Sequence, residues 1–155
     1  MKKIIKALVI GSFALYLLVL FSLLFMRSGG YWQNLSWVDY VRLNSNFVPF
    51  RTISQYVHLL FTGSINANIP LTNLWGNLLM MAPMGLYLPY FFKRARRPAV
   101  FFLVMLCLVL SAELAQTCLR VGSLDIDDVI LNLAGAFLGY GLGRLRWGRR
   151  FVYVE

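Results

Sequence analysis

The sequence predicts an all-α integral membrane protein: a compact bundle of four transmembrane helices, with a long outer loop that carries a short interfacial helix. Three observations predict it. Of 155 residues, 59% are hydrophobic and only 14% charged, too little polar surface for a water-soluble domain of this length. The apolar residues gather in four runs, at about 7–26, 73–92, 98–118 and 129–143. The basic residues fall between those runs. Lys2, Lys3 and Lys6, then Lys93, Arg94, Arg96 and Arg97, then Arg144, Arg146, Arg149 and Arg150 make up eleven of the fifteen Lys+Arg, the distribution of the positive-inside rule. A nucleic-acid binder would gather its net charge of +9 on one face or in one tail, so no nucleic-acid partner is expected.

The first run, Ala7 to Met26, matches the ~20 apolar residues that cross a bilayer. A signal peptide shares its basic start, but has a shorter core of about 7–15 residues followed by a small-residue cleavage site. Here Met26-Arg27-Ser28-Gly29-Gly30 follows, and a retained helix is expected. Residues 27–72 are too polar to span, and Trp32, Trp37 and His58 are assigned to the headgroup region. Within this loop Ile53, Tyr56, Val57, Leu60 and Phe61 recur at helical spacing and predict the short interfacial helix.

The second run contains Gly76, Asn77, Pro83, Gly85 and Pro89, residues that a soluble helix resists and a membrane helix tolerates. The basic loop 93–97 leads into the third run, and the fourth ends in the basic tail. The basic ends place both termini and loop 93–97 in the cytoplasm, which requires an even number of spans. The long loop and the turn at 119–128 then face outward. Short connections imply antiparallel neighbours.

Cys107 and Cys118 lie eleven residues apart in one run. On a helix that separates them by roughly 16 Å, too far for a disulfide. His58 is the single histidine, so no zinc site of the usual kind is expected.

Polar residues concentrate at the outer ends of runs three and four. Glu113, Gln116, Thr117 and Arg120 share one helix face. An ionised carboxylate in hydrocarbon costs at least ~2.5 kcal/mol, so Glu113 should face a cleft or a partner, with Arg120 and Arg51 as the available cations. Asp125, Asp128 and Asn132 form a second face. Asp125, Asp127 and Asp128 are half of the six acidic residues, and helix capping accounts for one or two of them, not three. Such carboxylates can hold Mg²⁺ or Ca²⁺ through oxygen, act as an acid/base pair, or bind amino and hydroxyl groups. Gly135, Gly139 and Gly143 make a small-residue stripe for close helix packing. Asn77 is placed at the depth of Asn132, lining the same cleft.

Taken together, Asn46-Phe47-Val48-Pro49-Phe50-Arg51-Thr52-Ile53, Asn73-Leu74-Trp75-Gly76-Asn77 with Pro83 and Gly85, Glu113 and Gln116 with Arg120, and Asp125-Ile126-Asp127-Asp128-Val129 with Asn132 and Gly135 form an ordered pattern over about residues 40–143. This pattern resembles the VanZ-like family of bacterial membrane proteins. The resemblance implies a multi-pass protein of the bacterial cytoplasmic membrane, a single VanZ-like domain over 1–155, in a family whose namesake is associated with low-level resistance to teicoplanin. It implies no known reaction.

The leading expectation is a cleft formed by Arg51, Asn77, Glu113, Gln116, Arg120, Asp125, Asp127, Asp128 and Asn132 that binds a lipid-linked headgroup. Its partners would be membrane lipids and a lipid-linked cell-wall precursor or lipoglycopeptide. One rival is a divalent-metal-dependent enzyme acting on a lipid phosphate, with a cation at Asp125, Asp127 and Asp128 and Glu113 as base. The other is a lipid transporter, hinted at by the echo between Asn73-Leu74-Trp75-Gly76 and Asn132-Leu133-Ala134-Gly135. Against catalysis, no Ser, Cys or His stands with a base at recognisable nucleophile spacing.

Overall fold

A computed structural model describes residues 2–26 and 34–145. Trp32 and the tail arginines Arg146, Arg149 and Arg150 lie outside the described residues. The helices are α1 (Lys2–Phe25), α2 (Trp37–Leu43), α3 (Arg51–Thr62), α4 (Asn68–Met80), α5 (Met84–Phe91), α6 (Pro98–Leu119) and α7 (Ile126–Arg144), with a 3₁₀ turn at Lys93–Arg96. The described residues are all-α apart from two parallel two-residue strands, β1 (Ser45–Asn46) and β2 (Leu124–Asp125). Among the described residues, two helices are long and apolar enough to cross a membrane, Lys3–Phe25 and Pro98–Leu119.

α1 is apolar on every side, and Ile4, Leu8, Leu15, Leu18 and Phe21 are exposed. One side still docks. Phe13 meets Tyr87 and Phe91 at ring-centroid distances of 4.8 and 4.9 Å, and the Tyr16 hydroxyl donates to the Met80 carbonyl at 2.9 Å. At its far end the Leu24 carbonyl accepts the Gln116 side-chain amide at 2.9 Å. Packing and these two bonds therefore hold α1 against α4, α5 and α6.

The run expected to be one helix over 73–92 is two, joined at Met81–Pro83. Proline has no N–H and its ring crowds the preceding turn. Ala82 donates to Leu79 at 3.2 Å, Met84 to Met81 at 3.1 Å and Gly85 to Ala82 at 3.0 Å, a tightened 3₁₀-like pattern that turns the chain. α7 packs directly on the backbone of this elbow. A Cβ on Gly135 would lie 1.6 Å from the Leu78 carbonyl oxygen, and one on Gly139 1.8 Å from that of Ala82. Only glycine permits this approach. The expected glycine stripe is thus the contact between α7 and the α4–α5 elbow.

α6 starts with Pro98 at its first turn, where its fixed φ suits a helix and no N–H is missed. Phe101, Met105 and Val109, four apart, are buried on one stripe against Val129, Ala136 and Tyr140 of α7. Tyr140 stacks on Phe101 at 4.4 Å and donates its hydroxyl to the Arg96 carbonyl at 2.6 Å. The basic 3₁₀ turn is thereby pinned to the end of the core opposite the carboxylates. Cys107 and Cys118 are both free thiols.

The loop helix expected around Ile53–Phe61 is α3, with Trp37 and His58 exposed on α2 and α3. Two features went unforeseen: α2, capped by Ser36, whose hydroxyl accepts the Asp39 N–H at 3.1 Å, and the β1–β2 bridge. α4 begins at Asn68 and α7 at Ile126, both earlier than the apolar runs suggest. For α7 the acidic first turn, with Asp127 and Asp128, explains the difference, because hydropathy marks where lipid-compatible residues start, not where the helix does.

Candidate functional site

The site is built around the turn from α6 to α7. α6 closes with Arg120 in the left-handed region (φ 56°). The Val121 N–H reaches the Gln116 carbonyl at 3.0 Å and the Arg120 N–H that of Thr117 at 3.1 Å. This is the Schellman pattern, in which glycine usually takes the left-handed position. Keeping arginine there costs on the order of 1 kcal/mol. The side chain is then held in place: a guanidinium N–H donates to the Leu35 carbonyl at 2.9 Å, and the group lies over the Tyr40 ring at 5.6 Å.

The outer loop is fastened to this turn. Ser45 pairs with Leu124 and Asn46 with Asp125, while the buried Tyr40 donates its hydroxyl to the Gly122 carbonyl. Two aspartates complete the fastening. Asp125, the cap of α7, accepts the Asp127 N–H at 2.8 Å, the Asn46 amide at 3.0 Å and the Thr52 hydroxyl at 2.6 Å. Asp127, fully buried, accepts the backbone N–H of Phe50 at 2.5 Å and of Ile53 at 3.1 Å. Those N–H groups belong to the start of α3, which has no side-chain cap of its own. A carboxylate on a distant helix fills that need.

The third aspartate turns elsewhere. Asp128 accepts the Asn77 amide and lines a cavity of about 940 Å³ bounded by the ends of α1 and α6, by α4 and by the α6–α7 turn. Asn77, Glu113, Gln116 and Arg120 line the same space, with Asn73 and Thr72 of α4. Glu113 is 4% exposed, and the Asp125 backbone N–H points at its carboxyl. Its Oε2 is buried without a hydrogen-bond partner, and so is Oδ1 of Asn73.

Five of the nine sequence-predicted site residues therefore share one cavity: Asn77, Glu113, Gln116, Arg120 and Asp128. Four do not line it. Arg51 is exposed at the first position of α3, and Asp125 and Asp127 are committed to the loop. Asn132, 2% exposed, donates to the Asp128 carbonyl at 2.8 Å. The aspartate trio thus divides between two environments, and among the described residues no group of three or more His, Cys, Asp or Glu is arranged to hold a metal ion. The two echoed segments also differ in role, since Gly76 faces open space while Gly135 is pressed against Leu78.

Sequence reasoning missed Asn73 as a lining residue. The signal was available, because Asn73 and Asn77 are four apart and so share a helix face. Tyr40, Asn46 and Thr52 were also missed as fasteners. Their partners lie more than 70 positions away, and no local pattern marks such contacts.

Two helices of membrane-crossing length and a cavity with polar residues in its wall fit a membrane-associated all-α protein. The chain belongs to the VanZ/LLP1 family, whose model matches residues 13–147. It is 30% identical over 135 residues to Protein VanZ of Enterococcus faecium, covering 85% of this chain and 73% of that relative. No solved structure matches it.

Proposed function

We propose that the chain is a single multi-pass domain of the bacterial cytoplasmic membrane, with both termini cytoplasmic. In this reading α1, the kinked α4–α5 pair, α6 and α7 make four crossings in an antiparallel bundle. The cavity opens at the outer leaflet and receives the polar head of an envelope amphiphile, a lipid-linked cell-wall precursor or a lipoglycopeptide. Binding, not turnover, is the activity, and it underlies glycopeptide resistance of the teicoplanin type or a related envelope function. Kinship with Protein VanZ supports the resistance side of this reading.

The observation that carries it is the convergence of Asn77, Glu113, Gln116, Arg120 and Asp128 on one cavity at the end of otherwise apolar helices. Charged groups at such a depth are costly, and they persist where they contact a ligand or a pathway. Arg120 suits a phosphate, and the acidic groups suit the donors of a headgroup. The test is expression in a glycopeptide-susceptible host. The wild type raises the inhibitory concentration of teicoplanin, and Glu113→Lys or Asp128→Lys, at equal membrane level, abolishes the rise. Unchanged resistance in both variants refutes the reading.

A further inference from the structure

The polar cavity does not end at its polar walls. Beside it lies an apolar groove of about 410 Å³ between α1 and α4, walled by Tyr16, Leu20, Trp75 and Leu79. Leu23, Thr72, Gly76 and Met80 border both spaces, so cavity and groove adjoin at Gly76. A Cβ at Gly76 would meet nothing within 4 Å, so the passage beside that glycine is open. The volume is in the range of a small-molecule site, far too small for a helix about 10 Å across. Its walls are hydrocarbon and aromatic, and one linear hydrocarbon chain fits that description.

The polar end has its own signature, two buried acceptors that no donor among the described residues meets. Oε2 of Glu113 and Oδ1 of Asn73 are both buried without a partner, and Glu113 is 4% exposed. Asp128 adds a second carboxylate on the same wall. An unmet buried acceptor is costly, more so when charged, and the group that answers several acceptors at once is one with several donors and a positive charge. A primary ammonium carries three N–H donors. A divalent metal is less well met, because among the described residues no group of three or more His, Cys, Asp or Glu converges to hold one.

We infer that the cavity and groove form one site for an amphiphile with a primary ammonium in its headgroup, the ammonium against Glu113 and Asn73 and a single hydrocarbon chain in the groove beside Gly76. This inference rests on the reading of the cavity as an amphiphile site and narrows it to one headgroup chemistry and one tail path.

The test uses the full chain, purified in a non-ionic detergent, with four probes: lysophosphatidylethanolamine, lysophosphatidylcholine, lysophosphatidic acid and tail-free phosphoethanolamine. The choline head keeps the charge but has no N–H donor, and lysophosphatidic acid lacks the ammonium. Lysophosphatidylethanolamine is expected to bind at least about tenfold more tightly than either, the worth of one charge-assisted hydrogen bond. Tail-free phosphoethanolamine is expected to bind more weakly than its acylated form. Glu113→Gln should erase the preference by weakening lysophosphatidylethanolamine, and should strengthen rather than weaken lysophosphatidic acid, whose phosphate then faces one carboxylate fewer. Gly76→Phe, which fills the open passage, should weaken every tailed probe and spare phosphoethanolamine.

Equal binding of all three lysolipids, still weakened by Gly76→Phe, overturns the ammonium assignment and leaves the broader amphiphile reading standing. Binding that neither variant changes, or no binding of any probe, overturns both. If Glu113→Gln does not fold, the comparison of the three headgroups on the wild type decides alone, with equal affinities refuting the assignment.

Discussion

The side chain of Asp127, fully buried in the first turn of α7, accepts the backbone N–H of Phe50 at 2.5 Å and caps the start of a helix, bonding N–H groups that lie 74 and 77 residues earlier in the chain. A carboxylate that reads in sequence as a ligand for something outside is a ligand for the protein's own backbone. The same turn also carries Asp128, whose side chain lines the cavity. Adjacent positions thus divide between the fold and the cavity wall, and loss of the first should show as a folding defect.

Asp127→Asn is expected to behave as a folding defect. It swaps an acceptor oxygen for an amide that presents donors to a backbone donor, stranding one N–H at a cost of about 1–3 kcal/mol. The variant should lose thermal stability in detergent, read by temperature-dependent aggregation, and accumulate poorly in membranes. Glu113→Gln should do neither, since its Oε2 has no partner to lose.

Gly139→Ala should fail where Gly141→Ala succeeds. A Cβ on Gly139 would lie 1.8 Å from the Ala82 carbonyl oxygen, while Gly141 has nothing within 4 Å. Backbone cannot yield as a side chain can, so α7 must move off the elbow. Membrane accumulation and monodispersity on size-exclusion chromatography should drop for the first variant only.

Phe50 holds a left-handed conformation at φ 64° with its side chain exposed. Phe50→Gly should raise stability by about 1 kcal/mol, because the steric cost of that region falls on residues with a Cβ. A higher midpoint in thermal unfolding would confirm it. A lower midpoint would mean that the exposed ring makes a contact the strain estimate omits, with lipid headgroups the natural candidate.

Orientation has a direct check. In a background with Cys107→Ala and Cys118→Ala, Ser64→Cys between α3 and α4 should react with a membrane-impermeant maleimide on whole cells. Arg94→Cys in the basic turn should react only after the membrane is opened. The reverse pattern would invert the topology and place the cavity in the cytoplasm.

Much of this was legible in the sequence, and what was not has a physical cause. The apolar runs mark α1 and α6 well, since uniform hydropathy is a local property. Pro83 sits within an apolar run, so hydropathy passes through the break that the missing N–H imposes. Glu113, Gln116 and Arg120 were legible as one helix face, and the structure keeps them on one cavity. Asp125, Asp127 and Asp128 were legible as unusual but not as divided, because which way each side chain points depends on where the outer loop lands. That landing is fixed by β1, Tyr40 and Thr52, contacts spanning more than 70 residues. Asn73 stands four before Asn77, yet in the sequence it marks only the repeated motif and the family pattern, not a cavity wall.

The central claim is that the cavity receives a ligand's head, and protection of a thiol placed in its wall tests it most directly. In the same cysteine-free background, Asn73→Cys is reconstituted in lipid nanodiscs and labelled with a maleimide, with and without an added lipid-linked cell-wall precursor. The account predicts that the precursor slows labelling of Asn73→Cys and leaves Ser64→Cys unchanged. Equal labelling rates at position 73 with and without a saturating amount of the precursor would contradict it.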